Sequence, residues 1–193
     1  MLVLASQSPR RREILQQAGI PFTVRVAGVD ETPLPGEAPV DYVRRLAAWK
    51  AEAVEASEDE VVLGADTTVV VGGEMLAKPD DEADARRMLG LLSGRRHEVI
   101  TGICLRRGGR LVCDHATTAV WFSAMSEDEI AEYAASGEPL DKAGGYAVQG
   151  YAAVFIESLQ GSYSGVMGLP LFETAGLLAA AGVPIWQASG PDE

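Results

Sequence analysis

The sequence contains only two cysteines in 193 residues, and no apolar run approaches the roughly 20 residues that a membrane-spanning helix needs. Two cysteines are too few for the disulfide framework of a small secreted domain. The first residues enter a strand-like segment directly, without the basic, apolar and cleavage regions of a signal peptide. We therefore expect a cytoplasmic protein, and the length predicts a single domain over 1–193, with either one sizeable core or two lobes around a cleft.

Positive charge is also scarce, since 16 lysines and arginines face 28 acidic residues and give a formal net charge of −12. An acidic surface repels nucleic acids and anionic membranes, so we expect neither as a partner. A small anionic ligand remains compatible with this charge. A local basic cluster, or a metal ion held by carboxylates, can reverse the potential inside one cleft.

Several common catalytic motifs are missing from the chain. It has no G-x-x-x-x-G-K-[ST] phosphate loop, no H-E-x-x-H zinc motif and no G-x-S-x-G elbow. The two histidines, His97 and His115, lie in predicted strands and are interpreted as structural. Arginines, lysines and carboxylates beside glycine-rich loops remain, and this combination favours metal-assisted phosphoryl chemistry over acyl transfer or redox chemistry.

The alternation of apolar strands and amphipathic helices predicts a mixed α/β sheet. VDYVRRLAAWKAEAVEAS is typical of a helix, YAAVFIESL of a strand and GSYSGVMGLP of a loop. The pair Gly108-Gly109 predicts a two-residue hairpin turn, which places Cys104 opposite Cys113 with their side chains close together. We expect these two thiols to be reduced in the cytoplasm, or to serve simply as small buried side chains.

The segment LASQSPRRREIL predicts a strand, a tight loop and the start of a helix. Ser8 can cap this helix, and Pro9 suits its first turn. Arg10 and Arg11 are unfavourable there because the amino end of a helix dipole is positive, so a role outside helix stability is indicated. A phosphate site explains them, and a solvated charge run is the alternative.

Three further charged residues stand at positions that local structure alone does not require. Lys50 lies in the middle of the apolar stripe of its predicted helix, so it either reaches the edge of the core or points into an anionic cleft. Asp66 ends the buried strand VVLGAD, and Glu31 lies in the loop VDETP. Each carboxylate alone is typical of a turn or cap, but together they could hold Mg²⁺ with phosphate oxygens and water.

Six segments, taken in order, resemble the motifs of the Maf family of nucleotide pyrophosphatases: LASQSPRRREIL, VDETP, GADT, LAKP, DKAGGYAVQG and GSYSGVMGLP. The similarity extends from about residue 2 to residue 178. It implies a mixed α/β fold of two lobes with a central cleft, similar to that of inosine triphosphate pyrophosphatases. It also implies hydrolysis of a nucleoside triphosphate between the α and β phosphates, a divalent Mg or Mn cofactor, and in many members a homodimer.

The resemblance also implies roles for individual residues. Asp66 is the expected acid–base residue that activates water, and it is expected to contact the metal together with Glu31. The expected triphosphate-binding residues are Ser8, Arg10, Arg11, Lys50 and Lys78. Arg10, Thr67 and Gln149 match positions associated with the choice of substrate.

The segment DKAGGYAVQG resembles the branch of the family that acts on dTTP and UTP, because it has Asp141, Lys142 and Gln149 rather than Cys-Ala-Gly and a glutamate. Two departures, Gly145 with Ala147 and Gly165, leave the relative activity on pyrimidine nucleotides open. The alternatives are a pyrophosphatase for 7-methyl-GTP or noncanonical nucleotides, and a nucleotide-binding regulator of cell division.

Overall fold

The computed structural model describes residues 1–186, which form one seven-stranded sheet and six α-helices. The strands are β1 (Leu2–Leu4), β2 (Phe22–Val24), β3 (Val61–Val71), β4 (Glu74–Leu76), β5 (Arg96–Arg107), β6 (Arg110–Phe122) and β7 (Ile156–Gln160). The helices are α1 (Pro9–Gln17), α2 (Pro39–Ala53), α3 (Glu82–Leu92), α4 (Glu127–Ala135), α5 (Tyr163–Met167) and α6 (Leu171–Ala180). Within the described residues, no helix is both long enough and apolar enough to span a bilayer.

The sheet is mixed, with the strand order β2-β1-β3-β5-β6-β7. Strand β1 pairs in parallel with both β2 and β3, and the other pairs are antiparallel. The predicted α/β class is therefore confirmed.

Strand β3 has an interrupted edge. One edge of β3 pairs with β5 from Val61 to Val70. The opposite edge, here called the near edge, pairs with β1 only up to Leu63 and with β4 only from Val69. Among the described strands none pairs with this near edge over residues 64–68. This gap in the near edge is where the cleft of the protein opens.

Two predicted helix starts are confirmed by side-chain caps. Ser8 accepts a hydrogen bond from the backbone N–H of Arg11, and Ser126 forms a capping box with Glu129. These caps satisfy N–H groups that the first turn of a helix leaves without partners.

Several sequence predictions were wrong in detail. Strand β3 continues to Val71, so Asp66 lies in the middle of this strand and not at its end. Residues Tyr151–Phe155, predicted as the start of a strand, form a 3-10 helix in which Tyr151 and Val154, three residues apart, are both exposed. The predicted loop at 161–170 contains α5, because Ser162 caps a single helical turn by accepting a hydrogen bond from the N–H of Gly165. Helix α2 ends at Ala53, before the predicted Ser57.

The hairpin formed by β5 and β6 has the predicted register. Arg107 pairs with Arg110 across Gly108-Gly109, and Cys104 pairs with Cys113 with their Cα atoms 4.1 Å apart. The two sulfur atoms are in direct contact, so the predicted adjacency is confirmed, and the reduced state of the two thiols stays a prediction.

Helix α2 lies directly on β3 and β5, at two glycines that face it. A methyl group on Gly64 would overlap the carbonyl oxygen of Ala47, and one on Gly102 would lie 2.6 Å from the carbonyl group of Val43. Both distances are impossible for a real side chain. The missing side chains therefore set how closely α2 approaches the sheet.

We predict that Gly64→Ala destabilises the protein by about 2–3 kcal/mol, because α2 must move away from β3 to make room for the methyl group. Thermal unfolding should show a melting temperature lower by about 5 °C or more. The matched control is Gly109→Ala, where a methyl group meets open space. Equal melting temperatures for the two variants would contradict this account of the packing.

The core contains one buried histidine. His97 is 1% exposed, lies on β5, and shares a hydrogen bond of 2.8 Å with the hydroxyl of Tyr146. Burial lowers the pKa of His97 from 6.5 to about 4. The folded protein therefore keeps this ring neutral at pH values where the unfolded chain protonates it.

This difference predicts a loss of stability on acidification. Between the two pKa values the unfolded state binds one more proton than the folded state, so the free energy of unfolding falls as the pH falls from about 6.5 toward 4. From about pH 7 to about pH 5.5, the loss for the unmodified chain should exceed that for His97→Gln by about 1 kcal/mol. Urea unfolding at the two pH values measures it. His115→Gln is the control and should keep the full pH dependence.

Candidate active site

A cleft of about 540 Å³ opens at the gap in the near edge of β3. It is lined by the loop before α1, the segment after β2, the middle of β3 and the glycine-rich segment at 141–149. All nine candidate site residues line this cleft: Ser8, Arg10, Arg11, Glu31, Lys50, Asp66, Thr67, Lys78 and Gln149. Residues that are up to 141 positions apart in the sequence therefore meet in one place.

The lining is locally positive although the chain is acidic. Its basic residues are Arg10, Arg11, Lys50, Lys78 and Lys142. Its carboxylates are Glu31, Asp66 and Asp141. Five basic side chains against three acidic ones fit an anionic ligand, as the sequence analysis predicted.

Lys50 lies between two carboxylates. Its Nζ is 2.6 Å from Asp66 Oδ1 and 2.7 Å from Glu31 Oε1. This position resolves the ambiguity of the apolar stripe, since the lysine points into the cleft and not to the edge of the core. The approach of α2 over Gly64 brings the lysine within reach, because Asp66 lies two residues along the same face of β3.

The two carboxylates differ in their electrostatics. Burial raises the pKa of Asp66, and the positive charges of Lys50 and Arg11 oppose this effect only in part. Glu31 is half exposed; desolvation raises its pKa, but the hydrogen bond and charge of Lys50, with Lys78 and Arg11, lower it overall. The pKa is thus raised at Asp66 and lowered at Glu31, and a raised pKa suits a group that accepts a proton.

Arg11 is fixed by contacts to three segments of the chain. Its Nε donates to the carbonyl of Gly168 at 2.8 Å, Nη1 donates to Ser6 Oγ at 3.0 Å, and Nη2 donates to Thr67 Oγ1 at 3.3 Å. Because a guanidinium has five N–H groups, two remain for a ligand. Arg11 thus joins the loop before α1 to β3 and to the end of α5.

Arg10 makes a different contact. Its Nη1 is 2.8 Å from Asp141 Oδ2, and its Nη2 donates to the carbonyl of Asp141 at 3.2 Å. Asp141 also contacts Lys142. The sequence analysis assigned Arg10 to the substrate and used Asp141 only as a marker of the family branch. It missed this pairing, since no local signal connects residues that far apart in the chain.

A chain of hydroxyl groups fixes the hydrogen-bonding character of Thr67. The hydroxyl of Thr101 donates to the carbonyl of Gly165 at 2.8 Å, so in its 2.9 Å contact with Thr67 it must accept. Thr67 therefore donates to Thr101 and accepts from Arg11. What Thr67 can still offer to the cleft is an acceptor, which fits a ligand group that donates. The fully buried Thr101 was missed by the sequence analysis.

Lys78 and Gln149 are exposed side chains at the cleft, and neither makes a side-chain hydrogen bond or ion pair with another residue of the described range 1–186. Gly145 precedes Gln149 with φ +71, a conformation that suits glycine. Gly145, a departure from the motif of the family branch, is therefore compatible with the backbone conformation of this segment.

The donor set of the cleft fits a hard divalent cation. Glu31 and Asp66 supply carboxylate oxygens, and the ammonium between them shows that a positive charge is accommodated there. Residues 1–186 contain no cluster of three or more potential metal-binding side chains. A cation held here would complete its coordination with phosphate oxygens and water, as Mg²⁺ commonly does.

We predict that Lys50→Met raises the pKa of Asp66 further, because the variant removes the largest charge that opposes the effect of burial. An NMR titration of the Asp66 carboxyl carbon, in metal-free buffer, should show the midpoint move to higher pH. Arg86→Met, at an exposed ion pair on α3, is the control and should leave the midpoint unchanged. A midpoint that stays or falls in Lys50→Met would contradict the described electrostatics.

Comparison with known proteins identifies a family and close relatives of this chain. The family described as Maf-like protein matches residues 1–181. A dTTP/UTP pyrophosphatase from Sphingopyxis alaskensis is 55% identical over 186 residues, covering 95% of this chain and 98% of the relative. One from Anaeromyxobacter dehalogenans is 54% identical over 191 residues, with 96% and 97% covered.

Among solved structures, a HAM1 protein from Coxiella burnetii superposes with a TM-score of 0.52 at 17% identity, covering 93% of this chain and 98% of that one. This likeness concerns the fold, and it agrees with the architecture expected from the sequence. The family match and the two relatives extend over almost the entire chain. This chain belongs to the Maf family.

Proposed function

We propose that this protein is a nucleoside triphosphate pyrophosphatase that hydrolyses dTTP and UTP between the α and β phosphates. The products are the nucleoside monophosphate and pyrophosphate. The relatives that share more than half of its residues are named for this activity. We further propose that it works as a single domain, with a divalent metal, in the cytoplasm.

The observation that carries the proposal is the placement of one ammonium group between two carboxylates inside a positively lined cleft. Lys50 binds Glu31 and Asp66 at the gap in the near edge of β3. Such an arrangement combines a proton acceptor with cations that strengthen their interactions as phosphate charge develops. It suits hydrolysis of an anhydride better than binding alone.

Asp66 is the proposed general base. Its Oδ1 accepts the hydrogen bond from Lys50, while Oδ2 has no hydrogen-bond partner among residues 1–186. Oδ2 is thus the oxygen that takes a proton from the attacking water. The water oxygen bonds to the α phosphorus, and the bond between the α phosphorus and the oxygen that bridges it to the β phosphorus breaks. Pyrophosphate then leaves.

The cations of the cleft are assigned to the triphosphate. Lys50 and Lys78 supply ammonium groups, and the two N–H groups that remain on Arg11 match a pair of phosphate oxygens. Ser8 and Arg10 lie at the start of α1, where the helix dipole also favours an anion. Arg10 must exchange its contact with Asp141 for phosphate if it binds the nucleotide directly.

Glu31 and Asp66 are the residues proposed to hold Mg²⁺ or Mn²⁺. When bound, the ion supplies Lewis-acid polarisation of phosphate oxygens and a lowered pKa for water. The residues of this chain then orient the substrate and accept the proton.

Base selection is assigned to Gln149 and Thr67. The amide of Gln149 offers both a donor and an acceptor, and these match the alternating groups on the edge of uracil or thymine. Thr67 offers a further acceptor, which suits another donor of the nucleoside such as a ribose hydroxyl, and the acceptor of Gln149 is matched to the N3–H donor that both bases carry. Cytosine lacks this donor, so CTP is expected to be a poorer substrate.

A nucleotide panel tests the proposal. Pyrophosphate and orthophosphate are measured separately with dTTP, UTP, CTP, GTP, 7-methyl-GTP and ITP, in Mg²⁺ and in Mn²⁺. We expect pyrophosphate from dTTP and UTP, and a decrease in kcat of about 100-fold or more in Asp66→Asn. Chelation of the metal should abolish turnover.

Gln149→Glu, which keeps the shape and changes the charge, is the matched variant for base selection. We expect it to lower kcat/KM for UTP relative to 7-methyl-GTP. Pyrophosphate released chiefly from 7-methyl-GTP by the unmodified chain would keep the chemistry and overturn the pyrimidine assignment. Tight nucleotide binding without turnover would indicate the nucleotide-binding regulator instead.

A further inference from the structure

The loop that carries Glu31 has no helix or strand of its own. Residues 25–38, between β2 and α2, form neither, yet the Glu31 carboxylate lies at a defined 2.7 Å from Lys50 Nζ. A chain segment without secondary structure needs other contacts to fix a side chain, since the conformational entropy of each free residue opposes it. At Glu31 and Thr32, the contacts to other elements come from α2.

Two side chains of α2 bind the backbone at Glu31. The hydroxyl of Tyr42 donates to the carbonyl of Glu31 at 3.0 Å, and Nη2 of Arg45 donates to the carbonyl of Thr32 at 3.2 Å. These are consecutive carbonyl groups. Tyr42 and Arg45 are three residues apart and lie on one face of the helix. The backbone of this peptide segment is thus bound at two adjacent points.

Arg45 is itself rigidly held. Its Nε and Nη2 each lie 2.6 Å from an oxygen of Glu37, in the fork geometry that gives the strongest ion pairs. The guanidinium also lies 4.5 Å from the ring centre of Trp49 and 5.6 Å from that of Tyr42. The side chains of Arg45 and Glu37 are 14% and 8% exposed, unlike an ordinary surface pair.

Helix α2 therefore contacts both the backbone and the side chain of Glu31. Tyr42 binds its carbonyl oxygen and Lys50, about two turns later, binds its carboxylate. The same helix is packed tightly on Gly64 and Gly102 of the sheet that carries Asp66. The separation between the two carboxylates is set through α2 and not through the loop.

We propose that Tyr42 and Arg45 are positioning residues. They hold the backbone of the loop at residues 25–38 so that the Glu31 carboxylate can bind a divalent cation beside Asp66. This inference rests on the proposed function, because it takes Glu31 as a ligand of that cation. It assigns to Tyr42 and Arg45 no contact with the substrate or the metal. Their effect reaches the cation only through Glu31.

Binding of Mn²⁺ to the full chain, measured by titration calorimetry without nucleotide and again with a nonhydrolysable UTP analogue, tests the proposal. Tyr42→Phe removes one hydroxyl, and we expect about 3- to 10-fold weaker binding. Arg45→Met removes the fork and one carbonyl contact, and we expect a loss of about 10- to 100-fold. In the pyrophosphate assay, half-saturating Mn²⁺ should rise while kcat at saturating Mn²⁺ stays within about twofold for Tyr42→Phe.

Arg87→Met is the matched control for the loss of an arginine. Arg87 also makes ion pairs with two segments, through Asp84 and Glu74, but it does not line the cleft. We expect unchanged Mn²⁺ affinity in this variant. If Arg45→Met fails to fold by thermal unfolding, Tyr42→Phe decides the question, because it keeps the buried ring.

A double-mutant comparison distinguishes the positioning role of Tyr42 from the metal-binding role of Glu31. In a Glu31→Gln background, Tyr42→Phe should cause no further loss of Mn²⁺ affinity, since its effect passes through Glu31. If Glu31→Gln alone leaves the affinity unchanged, the metal role of Glu31 in the proposed function is overturned. If Glu31→Gln weakens binding but Tyr42→Phe does not, or if their effects add, the positioning role is overturned.

Discussion

The contact of α2 with the sheet is the constraint on which the site depends. Gly64 and Gly102 have no side chain, and the helix backbone occupies that space. Lys50 and Tyr42 are carried by this helix, so its distance from β3 fixes both. A helix resting on alanine methyl groups would lie farther from the sheet, and the ammonium would no longer span Asp66 and Glu31.

The charges inside the cleft are stable because they are arranged as neighbours of opposite sign. A buried carboxylate alone would protonate, since desolvation disfavours its charged form. Lys50 and Arg11 oppose this at Asp66, and the hydrogen bonds of Arg11 to Ser6, Thr67 and Gly168 keep the guanidinium in place. An acidic protein thereby maintains a cleft that accepts an anion.

Much of the fold and of the site membership could be predicted from the sequence because the signals are local. Caps such as Ser8 and Ser126, and the register that pairs Cys104 with Cys113, follow from residues close in the chain. Lys50 was recognisable because a charge on an apolar stripe conflicts with burial. The ambiguity between the core edge and a cleft was resolved by the contacts of Lys50 with Asp66 and Glu31, which lie on other segments of the chain.

What the sequence could not provide depends on tertiary contacts. The pairing of Arg10 with Asp141 and the chain from Thr67 to Gly165 each connect residues of different elements. The 3-10 helix at Tyr151–Phe155 has the composition of a strand, so periodicity over five residues could not distinguish the two. A glycine inside a strand indicates close approach, but not which element approaches.

The gap in the near edge of β3 places main-chain groups of a central strand inside the cleft. On the outside of a protein, an unpaired strand edge invites strands from other molecules and promotes aggregation. Here the edge lies between β1 and β4 and beside the loop before α1, in the cleft that residues of β3 also line. Because these groups belong to the backbone, no substitution of a side chain removes them.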